Sequence, residues 1–291
     1  KCLDHGAAEG ELAAVVGRYA EIQRELGLAA AIVRDIESDL RSRMAGDRTS
    51  RDIFTDSLKA AGEDNCARLV AAAFCAQGVD ARYLSPKDAG LLLSAEPGNA
   101  LVLEESYPNL QRALSAMKGI VIFPGFFGYT KAGSVVTFSR GGSDITGAIL
   151  AAAVKAEVYE NFTDVDSVFA IDPSLVHDAP AIALLTYREM RELAYAGFGV
   201  FHDEAIMPAV KAAIPICIKN TNNPAAPGTM VVPQRTSTGG EVVGVASADG
   251  FCAVYIDKYL MNREVGFGLR VLQIMGDEQL SYEHMPSGID N

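Results

Sequence analysis

The sequence predicts an α/β protein: a three-layer αβα sandwich around a mainly parallel central sheet, followed by a smaller, partial α+β segment. Three observations lead there. Short apolar runs alternate with amphipathic helical stretches up to residue 232, the pattern of strands joined by crossover helices and covered on both faces. A polar stretch, PQRTSTGG, then interrupts the pattern at Pro233 to Gly240 and reads as a linker. Finally, 291 residues that are 49% hydrophobic and 21% charged are enough for one large core or two domains.

The elements follow in order. Residues 8 to 45 are rich in Ala, Glu, Leu and Arg with apolar residues at three- and four-residue spacing, which predicts two helices broken near Gly27. Asp52 to Gln77 reads as two more, jointed at Gly62, with Leu69, Val70, Ala73 and Phe74 on the buried side. Strands are expected in ARYLSP, NALVL and GIVIFPG, with a helix through NLQRALSAM between the last two. Further strands are expected at Val135–Phe138, Glu157–Phe162, Ile214–Lys219 and Thr229–Val232, and helices at Thr186–Ala196 and Asp203–Ala213. Beyond the linker, EVVGVAS, FCAVYID and LSYEHM read as strands and REVGFGLRVLQIM as a helix.

Bulk chemistry narrows the partners. Lys and Arg number 25 against 37 Asp and Glu, a formal charge of −12 with no basic cluster, which argues against nucleic acid or an anionic membrane. The five cysteines and four histidines are scattered without metal-ligand spacing. Buried, reduced thiols, no metal site and a cytoplasmic location are the expectation. The chain opens in what reads as helix, not as a signal peptide, and holds no apolar run of roughly 20 residues.

The run SRGGSDITGAILAAA, Ser139 to Ala153, carries the most chemistry. It sets Arg140, Gly141, Gly142, Ser143 and Asp144 on the turn that opens an apolar helix. A helix start offers unpaired N–H groups and a partial positive charge to an anion. The glycines let backbone approach a ligand, and arginine adds a forked donor for carboxylate or phosphate. A plain glycine turn with Ser143 as N-cap accounts for the same letters.

Read on through SRGGSDITGAILAAAVKAEVYENFTDVDSVFAIDP, the sequence resembles the core of the aspartate kinases, members of the amino acid kinase family. The SRGGSD-type turn and the TDVD-type segment stand in that family's order and about twenty residues apart, and the similarity runs from about Asp52 to the end. The resemblance implies the amino acid kinase fold and an enzyme that uses ATP with Mg2+ to phosphorylate the β-carboxylate of L-aspartate. The product, 4-phospho-L-aspartate, opens the biosynthesis of lysine, threonine and methionine. It implies catalytic roles for Arg140 and Asp144, and aspartate binding by Glu63, Arg140 and Ser143. Asp144 would organise the site rather than act as a base, because an attacking carboxylate is already ionised. Nucleotide binding falls to Gly141, Gly142, Thr163, Asp164, Phe169, Gly199 and Val200. Asn220 and Asn222, in IKNTNNPAAPGT, border the same site, though both are ordinary turn residues.

The same resemblance divides the chain into a kinase domain at 1–232, a linker at 233–240 and part of an ACT-like regulatory module at 241–291. Family members open with a strand and a KFGGSS-type loop, so the kinase domain reads as N-terminally incomplete. In the ACT-like part, Met261, Gly266, Phe267, Glu283 and Ser287 are expected to bind an amino acid effector, lysine or threonine. Pairing of such modules implies a homo-oligomer, a homodimer in the simplest case. Departures from better-known members lie on the ATP side: Ser174 follows Asp172-Pro173 where many have arginine, and Phe169 stands for a tyrosine. Gly199 occupies the place of a phosphate-contacting lysine, with Lys219 and Lys131 as candidate substitutes. Two other readings stay open: a non-catalytic amino-acid-binding regulatory subunit, and a relative acting on another amino acid such as glutamate.

Overall fold

A computed structural model describes residues 8–195, 206–236, 242–247 and 249–290. The described residues divide into two units, one ending at Ser247 and one beginning after it. The first opens with helices α1 (Glu9–Glu25) and α2 (Ala31–Met44), separated at Gly27, whose φ of +64° lies where only glycine sits easily. Helix α3 (Arg51–Ala76) starts at Ser50, whose hydroxyl accepts from Ile53 N. It then runs unbroken through Gly62. A helical glycine costs only about 1 kcal/mol against alanine, and burial of Phe54, Ala60, Ala61, Ala67 and Leu69 on either side outweighs that. The expected joint is therefore absent, and Val70 turns outward instead of into the core.

Strands β1 (Ala81–Tyr83) and β2 (Ile120–Ile122) pair in parallel, flanking α4 (Pro86–Ala89) and α5 (Ser106–Ser115). NALVL forms no strand; it is held by a single bridge between Leu93 and Val102. A hairpin follows, β3 (Phe127–Tyr129) against β4 (Val135–Thr137), and then helix α6 (Gly142–Val154). Beyond α6 come β5 (Tyr159–Thr163), the short antiparallel pair β6 (Val168–Phe169) and β7 (Ala181–Ile182), and β8 (Leu184–Thr186). Helices α7 (Tyr187–Tyr195) and α8 (Met207–Lys211) lead to β9 (Ile216–Asn220) and β10 (Thr229–Val232). The main sheet has the order β5-β9-β10-β8, with β5 and β9 parallel, β8 and β10 parallel, and β9 and β10 antiparallel. In β9, the successive residues Ile216, Cys217 and Ile218 are all buried, so this strand is covered on both faces. Cys217 is thus buried as expected, whereas Cys66, Cys75 and Cys252 are exposed.

Helix α6 stands between two apolar cores. Ala148 and Ala151 join Val168, Leu185, Met190 and Ile216 in one; Ile149 and Ala153 join Leu91, Leu110, Val136 and Phe138 in the other. The turn expected to bind anions is thus mounted on a helix fixed from two sides.

Residues 242–247, expected to open the ACT-like part as a strand, lie in the first unit. Val245 N donates to Ala170 O at 2.7 Å, and Val243 and Ala246 pack on the α7 side of the core. In the second unit only a 3-10 turn (Met261–Arg263) and helix α9 (Phe267–Asp277) form among the described residues. FCAVYID and LSYEHM are not strands here: a strand exists only through a ladder partner, and none is present for either among the described residues.

Candidate active site

The SRGGSD turn is shaped by the hairpin beside it. Gly141 takes φ +80° as the N-cap of α6, and no side chain caps the helix. Ser143 is the second residue inside the helix, so the plain capped turn is ruled out. First-turn N–H groups of α6 remain without a side-chain acceptor. Against Gly142 lie Phe126 and Phe138: a Cβ on Gly142 would stand 2.8 Å from Phe126 Cδ2 and 2.9 Å from Phe138 Cβ. Gly125 packs on Ser143 in the same way, its own Cβ position 3.0 Å from Ser143 Cα. Phe126 adopts φ +76°, rare for a bulky residue, and is held there by its N–H to Thr146 Oγ1 (3.0 Å) and its carbonyl to Phe138 N (2.9 Å). Nothing in its local sequence marked Phe126; only the glycines around it, in PGFFG, hinted at a close approach.

Arg140 is exposed and makes no hydrogen bond or ion pair among the described residues. Asp144, one residue beyond Ser143, is half-buried and tied to β5. Asn161 Nδ2 donates to its Oδ1 at 2.8 Å, and the Tyr159 hydroxyl donates to its backbone carbonyl at 3.2 Å. Its Oδ2 has no partner among the described residues.

Strand β5 carries the next part of the site. Thr163 ends the strand, pairing with Asn220 on β9, and its hydroxyl donates to Asp164 Oδ1 at 3.2 Å. Asn220 Nδ2 reaches Asp166 Oδ1 at 2.6 Å and the Asp164 carbonyl at 3.3 Å, while Asn223 Nδ2 donates to Asp166 Oδ2 at 3.1 Å. The TDVD turn and the NTNN loop therefore meet at the carboxyl ends of two parallel strands, the end at which open α/β sheets bind ligands. Phe169 lies half-buried on β6 opposite Ala181. Asn222 serves its own turn, its N–H donating to Asn220 Oδ1.

Other expected residues fall apart from this group. Glu63 is exposed on α3, where desolvation raises its carboxyl above the ordinary range. Among the described residues no contact joins it to Arg140 or Ser143. The turn of α3 below it is fixed by a buried network that the sequence did not suggest. Asp64 accepts from Arg43 Nη2 at 2.5 Å, from Arg68 and from the Tyr83 hydroxyl. Gly199 and Val200 lie outside the described residues. Of the candidate substitutes for the missing lysine, Lys219 bonds Glu160 at 3.2 Å and overlies Phe162, and Lys131 bonds Glu105 at 2.6 Å in the β3–β4 turn. Lys219 is engaged away from Asp144, since Glu160 and Phe162 alternate with Tyr159 and Asn161 and point to the other face of the sheet. In the second unit, Met261 and Gly266 precede α9, whose first residue Phe267 has Lys258 and Arg270 over its ring. Glu283 and Ser287 are exposed on irregular chain.

This chemistry suits a phosphorylated anion. Uncapped helix N–H groups, glycines with no room for a side chain and an unengaged arginine all favour it. No three His, Cys, Asp or Glu side chains converge among the described residues, and Asp144 Oδ2 is one carboxylate oxygen of the site without a partner among them. Mg2+ is commonly held by one or two carboxylates and the substrate's phosphates, and Asp144 fits that mode.

The sequence profile of the amino acid kinase family matches residues 4–220. The chain belongs to the amino acid kinase family. It is 57% identical over 289 residues to Aspartokinase 3 of Bacillus subtilis (strain 168), a match covering 99% of this chain and 63% of that relative. Among solved structures, aspartate kinase from Clostridium acetobutylicum superposes with a TM-score of 0.79 at 29% identity, covering 99% of this chain and 63% of that one. E. coli aspartokinase III in complex with aspartate and ADP shares the fold, with a TM-score of 0.74 at 24% identity over 99% of this chain and 67% of that one. The chain thus spans about two thirds of each.

Proposed function

We propose that the protein is an aspartate kinase, transferring the γ-phosphoryl group of ATP to the β-carboxylate of L-aspartate. The observation that carries this reading is the 57% identity to Aspartokinase 3 across nearly the whole chain. Arg140 holds the α-carboxylate of aspartate through its forked donors, and Glu63 receives the ammonium group. Ser143 lies beside Arg140 on the aspartate side, and the N–H groups at the start of α6 hold the transferring phosphoryl, with Gly141 and Gly142 admitting it to the backbone. Thr163 and Asp164 hold the nucleotide, Phe169 offers the adenine an aromatic face, and the segment of Gly199 and Val200 completes that side. Mg2+, when bound, neutralises the phosphate oxygens. Asp144 orders the cations around them, and no residue need remove a proton from the nucleophile. The pieces around Met261, Gly266, Phe267, Glu283 and Ser287 belong to an ACT-like module through which lysine or threonine regulates a cytoplasmic homo-oligomer.

The test is ADP release by the purified full-length protein with MgATP and either L-aspartate or L-glutamate. Turnover dependent on aspartate supports the reading. Turnover with glutamate alone, or none with either, overturns it.

A further inference from the structure

Two residues of β5 that no motif marks form a closed arrangement with Asp144. The amide nitrogen of Asn161 has two hydrogens and uses both, one on Asp144 Oδ1 at 2.8 Å and one on the Tyr159 oxygen at 2.9 Å. Tyr159 turns its own hydrogen to the backbone carbonyl of Asp144 at 3.2 Å. The three groups thus make a ring in which each bond fixes the sense of the next: only the NH2 end of Asn161 can face the carboxylate. Asn161 is 8% exposed, so the amide has little water to turn to. Space for the ring is built into α6, because a Cβ on Gly147 would stand 2.5 Å from the Tyr159 oxygen.

We propose that Asn161 and Tyr159 are positioning residues for the phosphoryl-transfer site, clamping Asp144 at one carboxylate oxygen and at its carbonyl so that Oδ2 is presented to the cations around the phosphates. The proposal rests on the kinase reading above. A neutral amide is suited to the task. It orients the carboxylate without cancelling its charge, whereas a lysine or arginine there would compete with the substrate's cations. The groups bonded to Asn161 are Asp144 and Tyr159. Its neighbours Glu160 and Phe162, with Lys219 beside Phe162 on β9, alternate to the other face.

Asn161→Asp and Tyr159→Phe in the full-length protein test this, with kcat and KM for ATP and aspartate measured from pH 5.5 to 9. Tyr159→Phe removes one neutral hydrogen bond of the ring and is expected to lower kcat about tenfold with both KM values within about twofold. Asn161→Asp keeps the shape but sets two carboxylates together, so they must share a proton. Its kcat is expected to fall at high pH and recover as pH drops, a limb that the unaltered protein lacks. A folding defect alone would lower the active fraction without adding that limb, and Tyr159→Phe reads the same clamp if Asn161→Asp does not fold. Variants whose kcat and pH profile superimpose on the unaltered protein's would overturn the positioning role and leave the kinase reading intact. Absence of aspartate-dependent turnover in the unaltered protein would remove both.

Discussion

Phe126 closes on Gly142 with no space for a methyl group between them: the Cβ position of Gly142 is 2.8 Å from Phe126 Cδ2. The glycine turn that opens α6 is consequently shaped by apolar packing from the hairpin as much as by its own glycines. Gly142→Ala must push Phe126 or Phe138 aside, at about 1–3 kcal/mol. Urea denaturation should show that loss, together with weaker nucleotide binding; a midpoint equal to the unaltered protein's would mean that the aromatic pair yields freely.

Asp64 and Arg43 test how firmly the turn beneath Glu63 is fixed. Their side chains are 3% and 10% exposed, and Asp64 also accepts from Tyr83 and Arg68. Asp64→Ala removes one of the two carboxylates on the buried Arg43 guanidinium, which keeps Asp39 at 2.8 Å, and takes the acceptor from the Tyr83 hydroxyl, a loss of about 1.5–3 kcal/mol. Arg18→Ala breaks an exposed pair with Glu21 and should cost less than about 1 kcal/mol. Equal losses in denaturant melts would refute the distinction.

Helix α6 ends at Lys155 with φ +54° and ψ +52°, a conformation that strains a residue bearing Cβ. Lys155→Gly should raise stability by roughly 0.5–1 kcal/mol, offset in part by the freer unfolded chain. Calorimetry showing a lower Tm would count against it.

The Glu189 carboxyl is held below its usual value, first by the paired Arg235 guanidinium and further by Thr186. A group depressed in the fold contributes stability above its unfolded pKa and loses it as pH falls through the folded one. The pair's contribution should be complete at pH 6 and decline below about pH 4.5. Glu189→Gln should flatten that acid limb in denaturant melts between pH 3 and 6, and an unaltered slope would exclude Glu189 as its source.

Arg140 has no partner within the described protein, so removing it leaves nothing buried and unpaired. Arg140→Met should therefore leave stability within about 0.5 kcal/mol. It should raise the KM for aspartate roughly 10- to 100-fold, the worth of a charge-assisted bond to a carboxylate. A KM within twofold of the unaltered value would place the aspartate carboxylate elsewhere.

What could be read from the sequence was whatever has a local pattern. The helices either side of Gly27, the strands at Tyr159–Thr163 and Ile216–Asn220, and the glycine turn opening α6 all announce themselves in a few consecutive residues. Gly62 misled because its cost is small and the burial that overrides it comes from α2 and the strands, not from its neighbours. Asn161 and Tyr159 read in sequence as ordinary strand residues, since their meaning lies in an Asp144 that is distant in sequence and adjacent only after β5 docks on α6. The Arg43–Asp64 pair was hidden for the same reason. FCAVYID has the letters of a strand, but letters alone supply no second strand to bond with.

Strand β5 works as a reading frame. Its residues 159 and 161 address Asp144, and 160 and 162 address Lys219 on the opposite side. The link from Lys155 to Tyr159 sets that phase, and inserting one residue there would exchange the two sets, sending an acidic and an aromatic side chain toward Asp144. An insertion of two would preserve the phase. Length in this link is therefore constrained by parity, a restriction that no single substitution reveals.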